Sequence, residues 1–326
     1  MSGDLTARSG GLTLPRIGDR ALWSFVGRRI GHAVLVLFCV ATVSFFLVRI
    51  SGDPVRQMLP PDATAAQETA LRAQLGLDQP LLGQYVSYMT GLLHLDLGQS
   101  LFFHRPAFDV IAERLPATVT LAAGALVVVL VVAIPAGVVS ALRRGTATDT
   151  TVMAAVLVGQ SAPAFFVGIL LILVFAVNLQ MLPASGMGGI ENLVLPAVTL
   201  GLYSIAMVAR LLRSSLVDVL GEDYIRTARA KGLTGWRIVT AHGLRNASLP
   251  VVTVVGLEIG NLLGGAILTE QVFAWPGVGR LTVEAVTYRD YPLMQATVMF
   301  LATVFVVVNL LVDLSYAALD PRVRLS

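Results

Sequence analysis

Six apolar runs, each near or above the roughly 20 residues a helix needs to cross a hydrocarbon layer, constrain this chain more than any motif it carries. They cover residues 30–48, 117–142, 152–177, 193–212, 250–273 and 293–314. At that depth there is no water to satisfy backbone N–H and C=O groups, so each run must close its hydrogen bonds internally as a helix. The expected fold class is therefore all-α, a polytopic membrane protein with six transmembrane helices. Composition agrees, since only 13% of the 326 residues are charged, against about 25% in soluble domains. Pro135 and Pro163 fall inside the second and third runs. Neighbouring helices can satisfy the carbonyls they free, so kinks are expected there, not breaks.

Arginine and lysine are retained on the cytoplasmic side of a membrane, and their placement orients the spans. With the N-terminus inside, the cytoplasmic side holds Arg8, Arg16, Arg20, Arg28, Arg29, Arg143, Arg144, Arg210, Arg213, Arg226, Arg229, Lys231, Arg237, Arg245, Arg322 and Arg324, 16 in all. The other side holds 7: Arg49, Arg56, Arg72, Arg105, Arg114, Arg280 and Arg289. Both termini are thus expected in the cytoplasm. This divides the chain into a basic tail (1–29), a six-span domain (30–318) with an external segment (51–116) and a cytoplasmic loop (213–249), and a C-terminal tail (319–326). The first run is too long for a signal-peptide core and reads as an uncleaved span. In the external segment two short helices are expected around Asp78 and Pro80. Leu82, Tyr85, Met89 and Leu92 recur there at helical spacing, a stripe suited to packing on the tops of the spans. "AWPGVG" (274–279) reads as a turn closing span five.

Several chemistries are excluded. A phosphate-cradling loop needs Gly-Lys followed by Ser or Thr, and Lys231, the one lysine, follows Ala230. Ser185 and His242 could form a nucleophile and base, but the topology puts a bilayer about 30 Å thick between them. His32, His94 and His104 lack metal-ligand spacing. Cys39, the single cysteine, permits no disulfide and reads as a small buried hydrophobe.

Polar groups inside the spans are the functional candidates. Glu258 lies ~12 Å into span five. It shares a face with Asn261, Gly265 and Thr269, while Gly256, Gly260 and Gly264 take the opposite face, where a helix can pack closely. Glu258 and Asn261 either line a translocation path or make interhelical hydrogen bonds. In span six Asn309, Asp313, Tyr316 and Asp320 share a face suited to ties with a partner, and Pro321 ends the helix. Gln160 and Ser161, beside Pro163, either line a cavity or cap the kinked backbone.

The stretch 221–250 carries five basic residues. Glu222 and Asp223 open, and Arg229 and Lys231 close, a segment followed by Gly232, the charge order that complements a helix dipole. A cytoplasmic helix of about ten residues, ~15 Å long, is expected, with Tyr224 and Ala228 on one face and Arg226 and Arg229 on another. A second short segment follows from Thr234, and Pro250 is expected to open span five.

At this point the chain resembles the membrane-spanning subunits of bacterial ABC importers, whose cytoplasmic loop carries a Glu-Ala-Ala, Gly, Leu-Pro signature. Arg226, Thr227 and Ala228 stand at the first three positions, Gly232 at the glycine, and Leu249-Pro250 at the end. Arg and Thr depart from that signature. The departures resemble the dipeptide, oligopeptide and nickel permease branch, as do "YIRTARAKGL", "HGLRNASLP", "LGLDQPLLGQY", "DLGQS", "RLPAT", "FAWPGVGRL", "RDYP" and "VNLLVDLSYAALDPR". The resemblance implies a type I permease fold, in the first of two permease subunits, in the bacterial inner membrane amid lipid. It also implies a second homologous permease, two ATPase subunits that carry ATP and Mg, and an external substrate-binding protein. No cofactor on this chain, no catalytic activity of its own and no nucleic-acid partner are implied. Tyr224, Ile225, Arg226, Thr227, Ala228, Arg229, Lys231, Gly232, Leu249 and Pro250 would then couple to the ATPase. The cargo would be short peptides, with nickel or another small solute as the alternative within the branch. A self-sufficient transporter using Glu258 and Asp313 as an ion relay is the competing class.

Overall fold

The computed structural model describes residues 19–50, 55, 64–74 and 77–319. Most of the basic tail, including Arg8 and Arg16, lies outside the described residues, as do Arg56, Asp320, Pro321, Arg322, Arg324 and the side chains of Arg20, Arg49 and Tyr316. Eleven helices follow in order among the described residues. They are α1 (Asp19–Ile50), α2 (Ala65–Gln74), α3 (Leu81–Leu93), α4 (Ala107–Leu142), α5 (Ala147–Ser161), α6 (Ala164–Asn178), α7 (Ile190–Gly221), α8 (Asp223–Ala230), α9 (Gly235–Val272), α10 (Val278–Thr287) and α11 (Tyr291–Leu319). Five helices are long and apolar enough to cross a membrane, and they number six when the bent pair α5–α6 is counted as one span. The spans alternate, so the starts of α1, α5 and α9 and the ends of α4, α7 and α11 meet at one end, called here the basic end; the opposite one is the far end.

The core is the seam between α4 and α7, where small side chains let two backbones approach. Val129 and Ala133 of α4 are buried against Val208, Ala209 and Leu212 of α7. At Gly137 a Cβ would stand 2.9 Å from the Ala209 carbonyl oxygen, so only glycine fits the crossing. The glycine face expected on span five packs as the spacing implies: Gly256 lies against Val312, and Gly260 and Gly264 against Phe305 of α11.

The two prolines behave differently. Pro135 sits within an unbroken α4, as does Pro116. At Pro163 the expected kink is instead a break, with α5 and α6 meeting at 103°. The reason is local: proline crowds the preceding residue out of the α region, and Ala162 is extended at φ −99°, ψ 146°. A second correction concerns span five. Pro250 does not open it, because α9 runs without interruption from Gly235 through a π-helical stretch, Ile238–Leu244, to Val272. Most of the expected loop 213–249 is therefore helical.

Span one is peripheral. It packs on α11, where Arg29 meets Asp313 at 2.7 Å, and leaves Val34, Phe38 and Leu47 more than half exposed. Cys39 is exposed on the same helix, contrary to the expected burial. At the far end α2 and α3 form the expected pair. Tyr85 of α3 stacks edge-on with Phe45, ring centroids 5.1 Å apart, and its hydroxyl is 2.8 Å from Thr42 Oγ1. Leu82, expected in the same packing stripe, is 73% exposed instead.

Candidate functional site

At the basic end α8 is an eight-residue helix seated on the start of α9. Ile225 and Ala228, one turn apart, are buried against Ile238, Leu220 and Leu233. The inward face is therefore Ile225 with Ala228. Tyr224, expected beside Ala228, is 43% exposed, and its hydroxyl accepts a 2.9 Å hydrogen bond from Asn246 Nδ2 of α9. Arg226, Thr227, Arg229 and Lys231 are all exposed. Gly232 ends the helix at φ +79°, with Gly232 N–H on the Arg229 carbonyl at 2.9 Å and Leu233 N–H on that of Ala228 at 3.3 Å. This is a Schellman closure, which needs a left-handed residue at that position. Leu249 and Pro250 are not brought beside α8; Pro250 lies ~22 Å along α9 from Gly235. Trp236, 72% exposed at the start of α9, was not singled out by the sequence reading. A large aromatic beside an arginine in a polar loop was the available signal.

Glu258 is buried and accepts hydrogen bonds from Ser204 Oγ of α7 and, at 3.0 Å, from Asn261 Nδ2. Of its two readings, the geometry is that of the interhelical tie. Asn261 itself is exposed. Asn309 Nδ2 donates to the Phe305 carbonyl at 2.9 Å within its own helix, and the side chain lies beside Gly260. Asp313, expected to tie a partner, ties span one through Arg29. Ser161 Oγ donates to the Leu157 carbonyl at 2.9 Å, the backbone-capping alternative, and Gln160 is half-buried beside it.

Three acidic groups escaped the sequence reading. Asp149 receives Arg213 in a fork, Nε at 2.7 Å and Nη2 at 2.6 Å, together with Ser140 Oγ and the Gly145 N–H. It pins α4, α5 and α7 at the basic end. Glu270 is fully buried at the far end of span five, accepting from Thr118 Oγ1 at 2.7 Å and the Arg280 N–H at 2.9 Å. Beside it Trp275 is buried, with its indole N–H on the Ala117 carbonyl at 2.8 Å. "FAWPGVGRL" is thus a turn clamped onto α4. Asp290 of "RDYP" accepts from Ser100 Oγ at 2.5 Å and Phe102 N–H at 3.1 Å, which fastens "DLGQS" to the start of α11.

These helices match known proteins along their length. Residues 133–325 match the family described as binding-protein-dependent transport system inner membrane component. Residues 22–122 match the N-terminal membrane component of the same systems. The chain belongs to this family. It is 40% identical over 333 residues to the dipeptide transport system permease protein DppB of Escherichia coli, across 92% of this chain and 98% of that one. It is 43% identical over 302 residues to the glutathione transport system permease protein GsiC of Escherichia coli, across 92% and 99%. In fold it is similar to a solved inward-facing conformation of the MetNI methionine ABC transporter, with TM-score 0.53, 20% identity, and 66% of this chain and 98% of that one covered. The chain is thus a multi-pass transport subunit of the ABC importer class. Importer permeases of this kind work with further permease, ATPase and binding-protein subunits.

Proposed function

We propose that this permease forms, with a second homologous permease, the path for short peptides in an ATP-driven importer. Support for the cargo comes from the names of its relatives, one a dipeptide and one a glutathione permease. ATP and Mg are held by two ATPase subunits at the basic end, which faces the cytoplasm, and an external binding protein delivers the peptide at the far end.

The observation that carries the reading is α8. An isolated helix of eight residues is not stable in water; this one is fixed to α9 by Ile225 and Ala228 and turns a basic, exposed face outward. Arg226, Thr227, Arg229 and Lys231, together with Trp236, form the surface offered to the ATPase. Because α8 is seated on α9, and α9 is one helix through the membrane, a push on α8 moves span five as a rigid body. Leu249 and Pro250 take part as a section of that lever and not as a joint beside α8.

Gly232 supplies the test. No atom lies within 4 Å of a Cβ placed there, so Gly232→Ala introduces no clash and acts only on the left-handed backbone, at a cost of about 1–2 kcal/mol. The complex should still insert and assemble, and peptide-stimulated ATP hydrolysis in liposomes should fall at least severalfold. Unchanged stimulation and uptake would overturn the coupling role of α8.

A further inference from the structure

We propose that Arg210 forms a carboxylate-binding point at the basic end of the path, taking the C-terminal carboxylate of the cargo; the inference rests on the peptide-import reading. A cavity of about 400 Å³ lies between α5 and α7, walled by Met153, Leu157 and Ala206, with Thr150 and Arg210 at its polar side. Asp149 and Arg213 also border it. Asp149 cannot neutralise Arg210, because its two oxygens already receive Arg213 Nε and Nη2, Ser140 Oγ and the Gly145 N–H. Arg210 is exposed and makes no ion pair among the described residues. It sits ~4.5 Å nearer the far end than Arg213, so the cavity holds one positive charge in excess at the inner edge of the span. A guanidinium there without a protein partner is open to an anionic ligand.

The surroundings say which ligand. At 100° per residue Tyr203, Arg210, Ser214 and Asp218 fall within about 80° of one face of α7, and all four are exposed. Ser214 and Asp218 lie past the expected end of span four at residue 212, so Arg210 stands where the helix leaves the membrane, within reach of water and of departing cargo. Arginine binds carboxylate in a planar fork, and every unmodified peptide ends in that group whatever its sequence. Met153, Leu157 and Ala206 offer apolar wall to the last side chain without selecting one.

The test is equilibrium binding of radiolabelled trialanine and its C-terminal amide to the complete importer in nanodiscs without nucleotide. Wild type should bind the free acid about tenfold more tightly than the amide, the effect of one charge-assisted hydrogen bond. Arg210→Gln should erase that preference by weakening the acid alone, and Arg210→Lys should keep part of it. Equal affinities in wild type overturn the proposal, even if Arg210→Gln fails to assemble, as does a preference that survives in Arg210→Gln. Enrichment of phosphatidylglycerol that depends on Arg210, without peptide discrimination, assigns the charge to lipid and also overturns it. If uptake with the cognate binding protein is normal for peptides but indifferent to Arg210, only this site fails. If no peptide is bound or taken up, the peptide-import reading fails with it.

Discussion

Gly277 has no side chain because the Glu270 carboxylate fills the volume a methyl would take. That carboxylate is held by Thr118 and by the Arg280 N–H, so it cannot swing away without stranding buried donors. Gly277→Ala should therefore destabilise by about 1–3 kcal/mol, the usual cost of overpacking, which lowers the melting temperature of the purified complex by several degrees. Gly221→Ala, where a Cβ meets nothing within 4 Å, should leave it unchanged; equal behaviour of the two variants would show that the clamp carries no stability. Glu270 also shows what residue-level reading missed. The rule that flags Glu258, an acid inside an apolar run, applies equally to Glu270 at the other end of the same run. What no local rule supplies is the partner: Thr118 is 152 positions away, and Ser100 is 190 from Asp290. Glu258 was legible as a polar group, but its choice between path and tie depended on Ser204, one helix over.

At the scale of elements, hydrophobic runs located every span, and charge order with a trailing glycine located α8, because those signals are local. Helix ends and bends were less legible. Pro163 and Pro135 read alike in sequence, yet only the first breaks its span. α5 is tied to α4 and α7 by Asp149, and α6 packs through Gly168 against Thr199 and Phe273. The 103° bend is what lets one span satisfy both docks. Removing the tie should free α5. Asp149→Ala takes the carboxylate from the Arg213 guanidinium and leaves it only Ser140 Oγ at 3.1 Å, so it should lower the melting temperature and raise hydrogen exchange across residues 147–161. Adding Arg213→Met should recover most of the loss, because removing both partners leaves no stranded charge. A double variant as unstable as the single one would show that the pair itself, and not the stranded arginine, holds the bend.

For the whole molecule, charge placement predicts one orientation. The arginines that the topology gathers at the basic end outnumber those at the far end, as expected for the cytoplasmic side. The two ends also differ in build. At the far end Glu270 clamps a turn and Asp290 fastens a loop, while Glu113 pairs with Arg105 at the surface. At the basic end α8 leaves its charges outward. The basic end thus offers a docking face, which suits the proposed ATPase binding there. Cysteine labelling can decide this. Cys39→Ser removes the single native thiol, after which Thr234→Cys reports the basic end and Ser185→Cys the far end, both positions being exposed. A membrane-impermeant maleimide should label Ser185→Cys in spheroplasts and leave Thr234→Cys unmodified until inverted vesicles are used. The reverse pattern would place α8 outside, beyond the reach of any cytoplasmic ATPase. It would sink the coupling mechanism even though every helix contact described above were correct.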